Sequence, residues 1–356
     1  MDLNLSKNTA KFFSKRLIGW YNNNKRDLPW RKTKDPYKIW LSEIILQQTK
    51  IVQGLPYYLK FENKYPNVFE LANANEEEIL KLWEGLGYYS RARNLHKTSK
   101  IVINKLNGIF PTNYSDLIKL PGIGDYTASA ISSFSMNEIN PVIDGNVYRF
   151  LSRYFGIKTA VNTNKSLKEF KNIAKLLISK KYPSEFNQAI MEFGALMCKP
   201  TNPNCETCLF KTNCFAYLGK EISNFPVKKL KKKIKDRFFN FLIFKSTNNQ
   251  TLIEKREKKD IWQNLYQFPL IETDKNACHN TILNQLYERE HPDCADIKIE
   301  LFNNKVYKHK LSHQNIYSCF WLINVNKITK NQVKIFDLNL YPFPKPISNF
   351  ISVYNW

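Results

Sequence analysis

The sequence has no long apolar run and little glycine. No stretch approaches the roughly 18 consecutive apolar residues that a membrane-spanning helix needs, and this excludes a helical membrane protein. The N-terminal segment interrupts its apolar residues with lysine or arginine every few positions, as an amphipathic helix does and a signal peptide does not. We therefore expect a soluble, cytoplasmic protein without a signal peptide, whose seven cysteines do not form a disulfide framework.

Acidic residues are scarce relative to basic ones. Asp and Glu together number 31 against 54 for Lys and Arg, so the formal net charge is +23 and the isoelectric point is about 9.6. Drift of the composition toward lysine, asparagine and isoleucine explains part of this charge. The remainder indicates a polyanionic partner, most simply nucleic acid.

The chain divides into two parts at a short basic segment. Residues 1–225 carry apolar residues at helical spacing, joined by short connections with glycine or proline, which predicts a mainly helical domain. Residues 226–235, PVKKLKKKIK, contain almost only lysine and isolated aliphatic residues and are expected to form an exposed linker. Residues 236–356 contain short β-branched and aromatic runs and one helical stretch, which predicts an α+β domain.

Four cysteines lie close together in the segment CKPTNPNCETCLFKTNC. Gaps of six, two and five residues separate Cys198, Cys205, Cys208 and Cys214. Four thiolates in one short loop either bind a metal centre or oxidise, and zinc and a [4Fe–4S] cluster both accept four cysteine sulfurs. The spacing alone leaves these two centres open. The other cysteines are scattered and are expected to be buried thiols: Cys278, Cys294 and Cys319.

Two of the few glycines fall in the segment LPGIGDYTAS, residues 120–129. Gly122 and Gly124 allow a tight turn between two helical patterns and a close approach of the backbone to another surface. The helix that follows presents free backbone N–H groups at its positive end, which suits a phosphate. An ordinary turn between helices gives the same local pattern, but the basic charge and the cysteine loop favour DNA binding.

Two carboxylates stand in unlike sequence environments. Glu43 lies among apolar neighbours in IWLSEIILQQT, so burial is expected to raise its pKa and keep it protonated. Asp144 stands at the predicted start of a helix, where hydrogen bonds from backbone N–H groups are expected to lower its pKa. Hydrolysis of a glycosidic bond uses such a pair, one carboxyl to protonate the leaving group and one to stabilise the positive charge on the sugar.

Several motifs occur in the order found in one family of enzymes. The segments RDLPWR, WLSEIILQQT, LWEGLGYYSRARNLH, LPGIGDYT and DGNVYR, together with the cysteine spacing, resemble MutY-type adenine DNA glycosylases of the endonuclease III superfamily. The resemblance covers residues 26 to about 220 and continues more weakly through the C-terminal domain. It implies a mainly α helix-hairpin-helix glycosylase core with an iron–sulfur loop, followed by a C-terminal α+β Nudix-like domain.

The resemblance also implies roles for individual residues. Glu43 would protonate the adenine ring at N7 and Asp144 would stabilise the oxocarbenium ion, with Tyr126 and Asn146 supporting that site. The ligands of a [4Fe–4S] cluster would be Cys198, Cys205, Cys208 and Cys214. The residues of the adenine pocket would be Arg26, Trp30, Arg31, Leu46 and Gln188. The DNA contacts would be Gln48, Tyr88, Gly122, Gly124 and Lys199. The residues that recognise 8-oxoguanine would be Tyr88, Ser312 and His313.

Tyr126 bears on the type of reaction. In related bifunctional glycosylases a lysine at this place forms a Schiff base with the sugar and leads to strand cleavage, which a phenol cannot do. We therefore expect a monofunctional enzyme of base excision repair. Its expected partner is double-stranded DNA with adenine opposite 8-oxoguanine or guanine, and we expect it to act as a monomer.

Two other functions remain open. An endonuclease III-like enzyme for damaged pyrimidines would share the helical core, but Tyr126 and the second domain argue against it. A non-catalytic DNA-binding or redox-sensing iron–sulfur protein would explain the charge and the four cysteines. It would not explain why Glu43 and Asp144 both stand where glycosylase chemistry needs them.

Overall fold

The computed structural model describes residues 6–229, 234–288, 298–328 and 330–356. The chain forms two compact units, one of Met1–Asn73 and Asn94–Leu230 and the other of Ala74–Arg93 and Lys231–Trp356. The second unit thus includes a short stretch from the N-terminal half of the sequence. The domain limits at residues 225 and 235 stay predictions, and residues 230–233 of the predicted linker lie outside the described residues.

The N-terminal half of the chain is helical, as predicted. Its helices are α1 (Lys7–Asn24), α2 (Pro36–Leu46), α3 (Ile51–Lys64), α4 (Val68–Asn73), α5 (Glu76–Leu82), α6 (Ser90–Leu106), α7 (Tyr114–Leu117), α8 (Asp125–Met136), α9 (Gly145–Phe155), α10 (Asn164–Leu177), α11 (Pro183–Leu196) and α12 (Phe215–Leu218). Short 3₁₀ turns occur at Pro29–Arg31, Lys211–Asn213 and Ile222–Asn224. Of these helices, α5 and the start of α6 belong to the second unit.

One core of the first unit joins α1, α9, α10 and α11. Leu17, Val147, Phe170 and Phe193, one from each of these helices, are fully buried in it. Interiors of this kind pack as densely as organic crystals, so helices that share a core hold fixed positions. The core therefore fixes α9 and α11, which carry several of the predicted site residues.

The long apolar stretch of residues 37–65 is divided into α2 and α3. Gln48, between them, has a φ of 55°, a left-handed conformation that a right-handed helix cannot continue through. Trp40, Leu41 and Ile45 of α2 are fully buried. A helix buried on more than one face leaves a carboxyl on it little access to water.

The second unit is built on a five-stranded sheet. The strands of the whole unit are β1 (Lys235–Ser246), β2 (Gln250–Leu252), β3 (Glu254–Lys255), β4 (Tyr266–Gln267), β5 (Leu270–Thr273), β6 (Ile299–Leu301), β7 (Tyr307–Lys310), β8 (Gln314–Val325) and β9 (Gln332–Lys334), with helices α13 (His279–Glu288) and α14 (Lys345–Val353). The five-stranded sheet has the order β5-β1-β8-β6, with β7 also paired with β8; β2 pairs with β9, and β3 with β4, in two small sheets. The central strands β1 and β8 are parallel, with Phe238 opposite Tyr317, and the other pairs are antiparallel. The predicted α+β class of this part is confirmed.

The scattered cysteines differ from the prediction in part. Cys319, on β8, is buried as expected, but Cys278 is exposed. Cys278 immediately precedes α13 and its side chain is exposed to solvent, so the prediction of a buried thiol there is wrong. Cys294 lies outside the described residues, and the six cysteines within them are free of disulfides. Within the described residues, every helix is too short or too polar to cross a bilayer.

Candidate active site

A cavity of about 170 Å³ in the first unit brings together residues that lie far apart in the sequence. Its lining residues include side chains from the 3₁₀ turn before α2, from α2, from α8, from the start of α9 and from α11. The predicted catalytic and base-pocket residues are all among its walls: Arg26, Trp30, Arg31, Glu43, Leu46, Tyr126, Asp144, Asn146 and Gln188. Their placement in one cavity is observed, and their roles stay predictions.

Glu43 is buried and hydrogen bonded at the base of this cavity. Its side chain is 6% exposed, and the Tyr126 hydroxyl donates to its Oε2 at 2.7 Å. Burial raises the pKa of Glu43 to about 7, against the lowering effects of the Tyr126 hydrogen bond and of Arg31. Burial also raises the pKa of Tyr126 well above its usual value, so the phenol keeps the proton that it donates. Glu43 is therefore a carboxyl that holds a proton near neutral pH.

Asp144 caps α9. Its Oδ1 accepts from the backbone N–H groups of Asn146 and Val147 at 2.9 and 2.8 Å, and its Oδ2 accepts from the Asn146 side chain at 2.7 Å. The expected lowering of its pKa is wrong: burial in the cavity raises the pKa of Asp144 above its ordinary value and outweighs these hydrogen bonds. The two carboxyls still differ, since three donors hold Asp144 whereas Tyr126 supplies the donor at Glu43.

Glu192, which the sequence reasoning missed, organises one wall of the cavity. Its carboxylate, 1% exposed on α11, accepts from the Arg26 backbone N–H at 3.0 Å and from both the Arg26 and Arg31 guanidinium groups at 2.6–2.9 Å. These arginines hold the pKa of Glu192 at about 2 even though burial alone would raise it. The available signal was the one used for Glu43, a lone acid among apolar residues in QAIMEFGAL.

A second missed residue, Tyr21 on α1, fixes the amide of Gln188. The Tyr21 hydroxyl donates to Gln188 Oε1 at 2.8 Å, and Gln188 Nε2 donates to Ser184 Oγ at 3.3 Å. The Tyr21 ring also lies 5.5 Å from the Arg31 guanidinium. Gln188 and Arg31 both line the cavity, so Tyr21 sets their orientation before any ligand enters.

The helices α9 and α11 approach closely where Gly194 meets Asn146. A Cβ built on Gly194 would lie 2.7 Å from the Asn146 carbonyl oxygen and 2.8 Å from its Cβ. Arg149 binds the same place, since its guanidinium donates to Asn146 Oδ1 at 2.8 Å and to the Gly194 and Cys198 carbonyls. Only glycine lets α11 lie this close to the residue beside Asp144.

The four clustered cysteines line one small cavity walled by Phe150, Phe193 and Phe210. The buried Arg153 guanidinium lies 3.5 Å from Cys198 Sγ and donates to the carbonyls of Lys199 and Pro200 at 2.6 and 3.1 Å. Within the described residues, no group of three or more His, Cys, Asp or Glu side chains is placed to hold a single metal ion. The predicted ligands thus converge with a buried cation beside them, and Lys199 stands partly exposed in the same loop.

The hairpin at residues 120–124 connects α7 to α8, as predicted. Gly122 has a φ of 75°, and a Cβ there would lie 2.7 Å from Asn94 Cβ, so this position requires glycine. Gly124 has an ordinary backbone conformation and open space beside its α-carbon, so the turn itself does not require it. Gly124 forms the N-cap of α8 without a side-chain hydrogen bond, which leaves that helix start open.

The second unit has its own cavity, of about 460 Å³, which contains the residues predicted to meet 8-oxoguanine. Tyr88, Ser312 and His313 line it together with Trp262 and His309. Ser312 and His313 are exposed in the turn between β7 and β8, and the Ser312 hydroxyl lies 3.2 Å from His313 Nδ1. Their placement in one cavity is observed, and a recognition role stays a prediction.

Two of the predicted DNA contacts, Gln48 and Tyr88, share an unusual backbone conformation. Most non-glycine residues with positive φ in the described part of the chain are asparagine, which tolerates this conformation. Gln48 and Tyr88, with φ of 55° and 50°, are among the few that are not. Both side chains are exposed. Local strain of this kind concentrates at functional positions.

Comparison with known proteins matches both parts of the chain to known families. Residues 41–175 match the model of the HhH-GPD superfamily of base excision DNA repair proteins, and residues 240–353 match the NUDIX domain. An adenine DNA glycosylase of Buchnera aphidicola subsp. Baizongia pistaciae (strain Bp) is 36% identical and covers 97% of each chain. That of Buchnera aphidicola subsp. Schizaphis graminum (strain Sg) is 38% identical and covers 97% of this chain and 99% of the relative.

A solved structure of a thermostable thymine-DNA glycosylase is 32% identical, with a TM-score of 0.55, and covers 59% of this chain and 97% of that one. That structure therefore corresponds to about three fifths of the chain, whereas the Buchnera relatives extend over nearly all of it. On the strength of these nearly full-length matches, the chain belongs to the MutY-type adenine DNA glycosylases of the helix-hairpin-helix superfamily.

Proposed function

We propose that this chain is a monofunctional adenine DNA glycosylase that removes adenine opposite 8-oxoguanine or guanine in double-stranded DNA. The observation that carries the proposal is the meeting of Glu43 and Asp144 in one cavity, with Tyr126 bonded to Glu43 and Asn146 bonded to Asp144. The names and the nearly full coverage of the curated relatives support adenine as the base.

Glu43 is the general acid. An adenine swung out of the duplex into the cavity accepts the Glu43 proton at N7, so the electron pair of the breaking N-glycosidic bond moves into a neutral leaving base. The pKa of about 7 supports this role, because a substantial fraction of Glu43 then carries the proton near neutral pH. The ionised carboxylate left behind next accepts a proton from the water that attacks the sugar.

Asp144 is the electrostatic partner. Its carboxylate faces the same cavity and stabilises the positive charge that develops on the sugar as the bond breaks. Asn146 and the N-terminus of α9 hold it in one orientation before the charge appears. Preorganised groups of this kind stabilise a transition state without the cost of reorienting solvent.

The remaining walls of the cavity select and hold the base. Polar groups in fixed orientations come from Arg26, Arg31 and Gln188, while apolar surface for a purine ring comes from Trp30 and Leu46.

Other residues contact the DNA duplex outside this cavity. Its phosphates meet the backbone at Gly122 and Gly124, the start of α8, and Lys199. Gln48 and Tyr88 enter the base stack and offset part of the few kcal/mol of lost stacking.

The second cavity inspects the opposite base. Ser312 supplies a hydroxyl that both donates and accepts hydrogen bonds, and His313 and the Tyr88 ring complete the contact with 8-oxoguanine. Leu311, where the family usually has phenylalanine, also lines this cavity. Its backbone N–H donates to the Gln314 carbonyl at 2.8 Å, which supports a closed turn despite the substitution.

Cys198, Cys205, Cys208 and Cys214 would hold a [4Fe–4S] cluster that orders the loop carrying Lys199. The fit is supported by four sulfurs on one apolar cavity and by the buried Arg153 cation, which favours an anionic centre. Zinc also accepts four cysteine sulfurs, and the resemblance of this cysteine spacing to the endonuclease III superfamily favours the cluster.

The test is an excision assay on duplexes with adenine opposite 8-oxoguanine, guanine or cytosine, read with and without alkaline cleavage. We expect base loss from the first two and strand breaks only after alkali. Glu43→Gln should abolish excision, and Glu70→Gln, which removes an exposed glutamate of α4, is the matched control. An active Glu43→Gln variant would contradict the acid assignment.

Other substrates separate the proposal from its rivals. Excision of thymine, the base in the name of the similar solved structure, or of thymine glycol, would replace adenine as the substrate. Efficient trapping of a covalent adduct by borohydride would show a lyase. Tight binding without base loss would favour a non-catalytic protein.

A further inference from the structure

Two arginines stand beside the acid that donates the proton. Arg26 and Arg31 line the cavity together with Glu43, and Arg31 is close enough to lower the pKa of Glu43. An uncompensated cation beside a general acid favours its ionised form and so removes the proton that it has to donate. The cavity therefore contains groups that work against its own chemistry unless their charge is cancelled.

Glu192 is placed to cancel it. Its buried carboxylate binds both guanidinium groups, with Arg31 Nη2 at 2.7 Å and Arg26 Nη2 at 2.6 Å, and it also accepts the Arg26 backbone N–H at 3.0 Å. It stays ionised over the whole range in which the enzyme works, since its pKa is about 2. The close approach of α11 to α9 at Gly194 fixes the helix that carries it.

We propose that Glu192 is a positioning residue that holds Arg26 and Arg31 against the base pocket and neutralises them, so that Glu43 keeps its proton. The inference rests on the proposed function, because it concerns the acid of that reaction. It assigns to Glu192 an electrostatic role that goes beyond holding the fold.

Other groups also face Glu43 and stay in place when Glu192 changes. Tyr126 from α8 donates a hydrogen bond to it, and Asp144 at the start of α9 disfavours its ionised form. Arg31 from the 3₁₀ turn favours the ionised form. The remaining charged groups on the cavity wall are Arg26, Lys34 and Glu192, and the Lys34 ammonium is held by the Phe134 carbonyl at 2.8 Å.

The experiment is the pH dependence of single-turnover adenine excision by the full chain on an A:8-oxoguanine duplex. In the wild type we expect activity to fall as pH rises through about 7, where Glu43 loses its proton. Glu192→Gln keeps the shape of the side chain but removes its charge, so the falling limb of the pH–activity profile should move to lower pH by about one unit. Arg31→Gln removes the cation and should move this falling limb to higher pH. Glu70→Gln should leave it unchanged.

The position of the limb separates this role from a structural one. A Glu192→Gln variant that folds and loses rate equally at every pH, with its limb unmoved, would overturn the inference. If that variant does not fold, Arg31→Gln decides, since an unmoved limb there overturns the inference as well. A wild-type protein that excises no adenine would instead defeat the proposed function.

Discussion

The two cavities differ in how their polar groups are held. In the first unit Glu43, Asp144 and Glu192 are each bound by named donors, and Glu43 and Glu192 are almost fully buried. In the second unit Ser312 and His313 are exposed in a hairpin turn, and their polar atoms contact each other at 3.2 Å.

This difference matches the different requirements of bond cleavage and of recognition of the opposite base. Bond cleavage needs charges that are already in place when the transition state forms, because reorienting them would consume the stabilisation. Inspection of a base needs hydrogen-bonding groups that remain available to an incoming partner. Changes in the first cavity should therefore affect excision alike whatever the opposite base is, and changes in the second should affect the choice among opposite bases.

Apart from the complete loss expected for Glu43→Gln, the largest expected effect on excision comes from Gly194→Ala. Alanine in a helix is about 1 kcal/mol more favourable than glycine. Here its Cβ would lie 2.7 Å from the Asn146 carbonyl oxygen, and overpacking of this kind costs about 1–3 kcal/mol. We expect the start of α9, with Asp144, to shift and single-turnover excision to fall about 100-fold on A:8-oxoguanine and A:G duplexes alike.

Gly19→Ala is the control for this substitution. Gly19 lies inside α1 with open space around it, so alanine there should raise stability slightly, by about 0.5–1 kcal/mol, and leave excision unchanged. Equal activity of the Gly194→Ala and Gly19→Ala proteins would show that the close helix approach does not position Asp144.

The next effect is on stability and comes from Glu43→Gln. The pKa of Glu43 rises from 4.5 to about 7 on folding, so the folded protein binds this proton more tightly than the unfolded chain. The resulting stability is present below pH 4.5 and is lost as pH rises through 7. We expect Glu43→Gln to be more stable than the wild type by about 3 kcal/mol at pH 8, and to match it near pH 4.

Denaturant titrations at the two pH values check this, with Glu70→Gln, which changes an exposed glutamate of α4, as the control. If Glu43→Gln gains stability and loses activity, Glu43 is a residue that serves the reaction and lowers the free energy of unfolding. A Glu43→Gln protein less stable than the wild type at pH 8 would contradict the buried, protonated state.

The third prediction tests the second cavity. Ser312→Ala removes one hydroxyl at the base edge, and a lost hydrogen bond of about 1–1.5 kcal/mol corresponds to about a tenfold change. We expect excision from A:8-oxoguanine to fall about tenfold while excision from A:G changes little. Ser352→Ala, an exposed serine of α14, is the control. An equal loss on both duplexes would mean that the second cavity does not distinguish the opposite base.

How far the sequence predicts this site depends on the kind of contact. Glu43 and Asp144 were predictable because each carries a local signal, an acid on an apolar helix and an acid at a helix start. The pKa of Asp144 was not, because its direction depends on how much burial outweighs three hydrogen bonds. Tyr21 and Gly194 act through contacts with residues distant in the sequence, and no local pattern reports such a contact. Glu192 carries the same local signal as Glu43, an acid among apolar residues, but that signal does not report its distant arginine partners.

The smallest expected effect comes from Tyr21→Phe, which sharpens the comparison within the first cavity. The phenylalanine ring keeps the packing beside Arg31 but loses the hydroxyl that donates to Gln188 Oε1 at 2.8 Å. With that bond lost, the Gln188 amide is free to turn, and a net hydrogen-bond contribution near 0.6 kcal/mol corresponds to about a threefold change. We expect about threefold weaker discrimination between adenine and a purine that lacks the 6-amino group, with the pH profile unmoved. Tyr37→Phe, which removes a buried hydroxyl bonded to the Tyr65 carbonyl outside the cavity, should lower stability without changing this discrimination. If both variants discriminate as the wild type does, the other contacts of Gln188 hold its amide, and the loss of the Tyr21 hydroxyl does not change the first cavity.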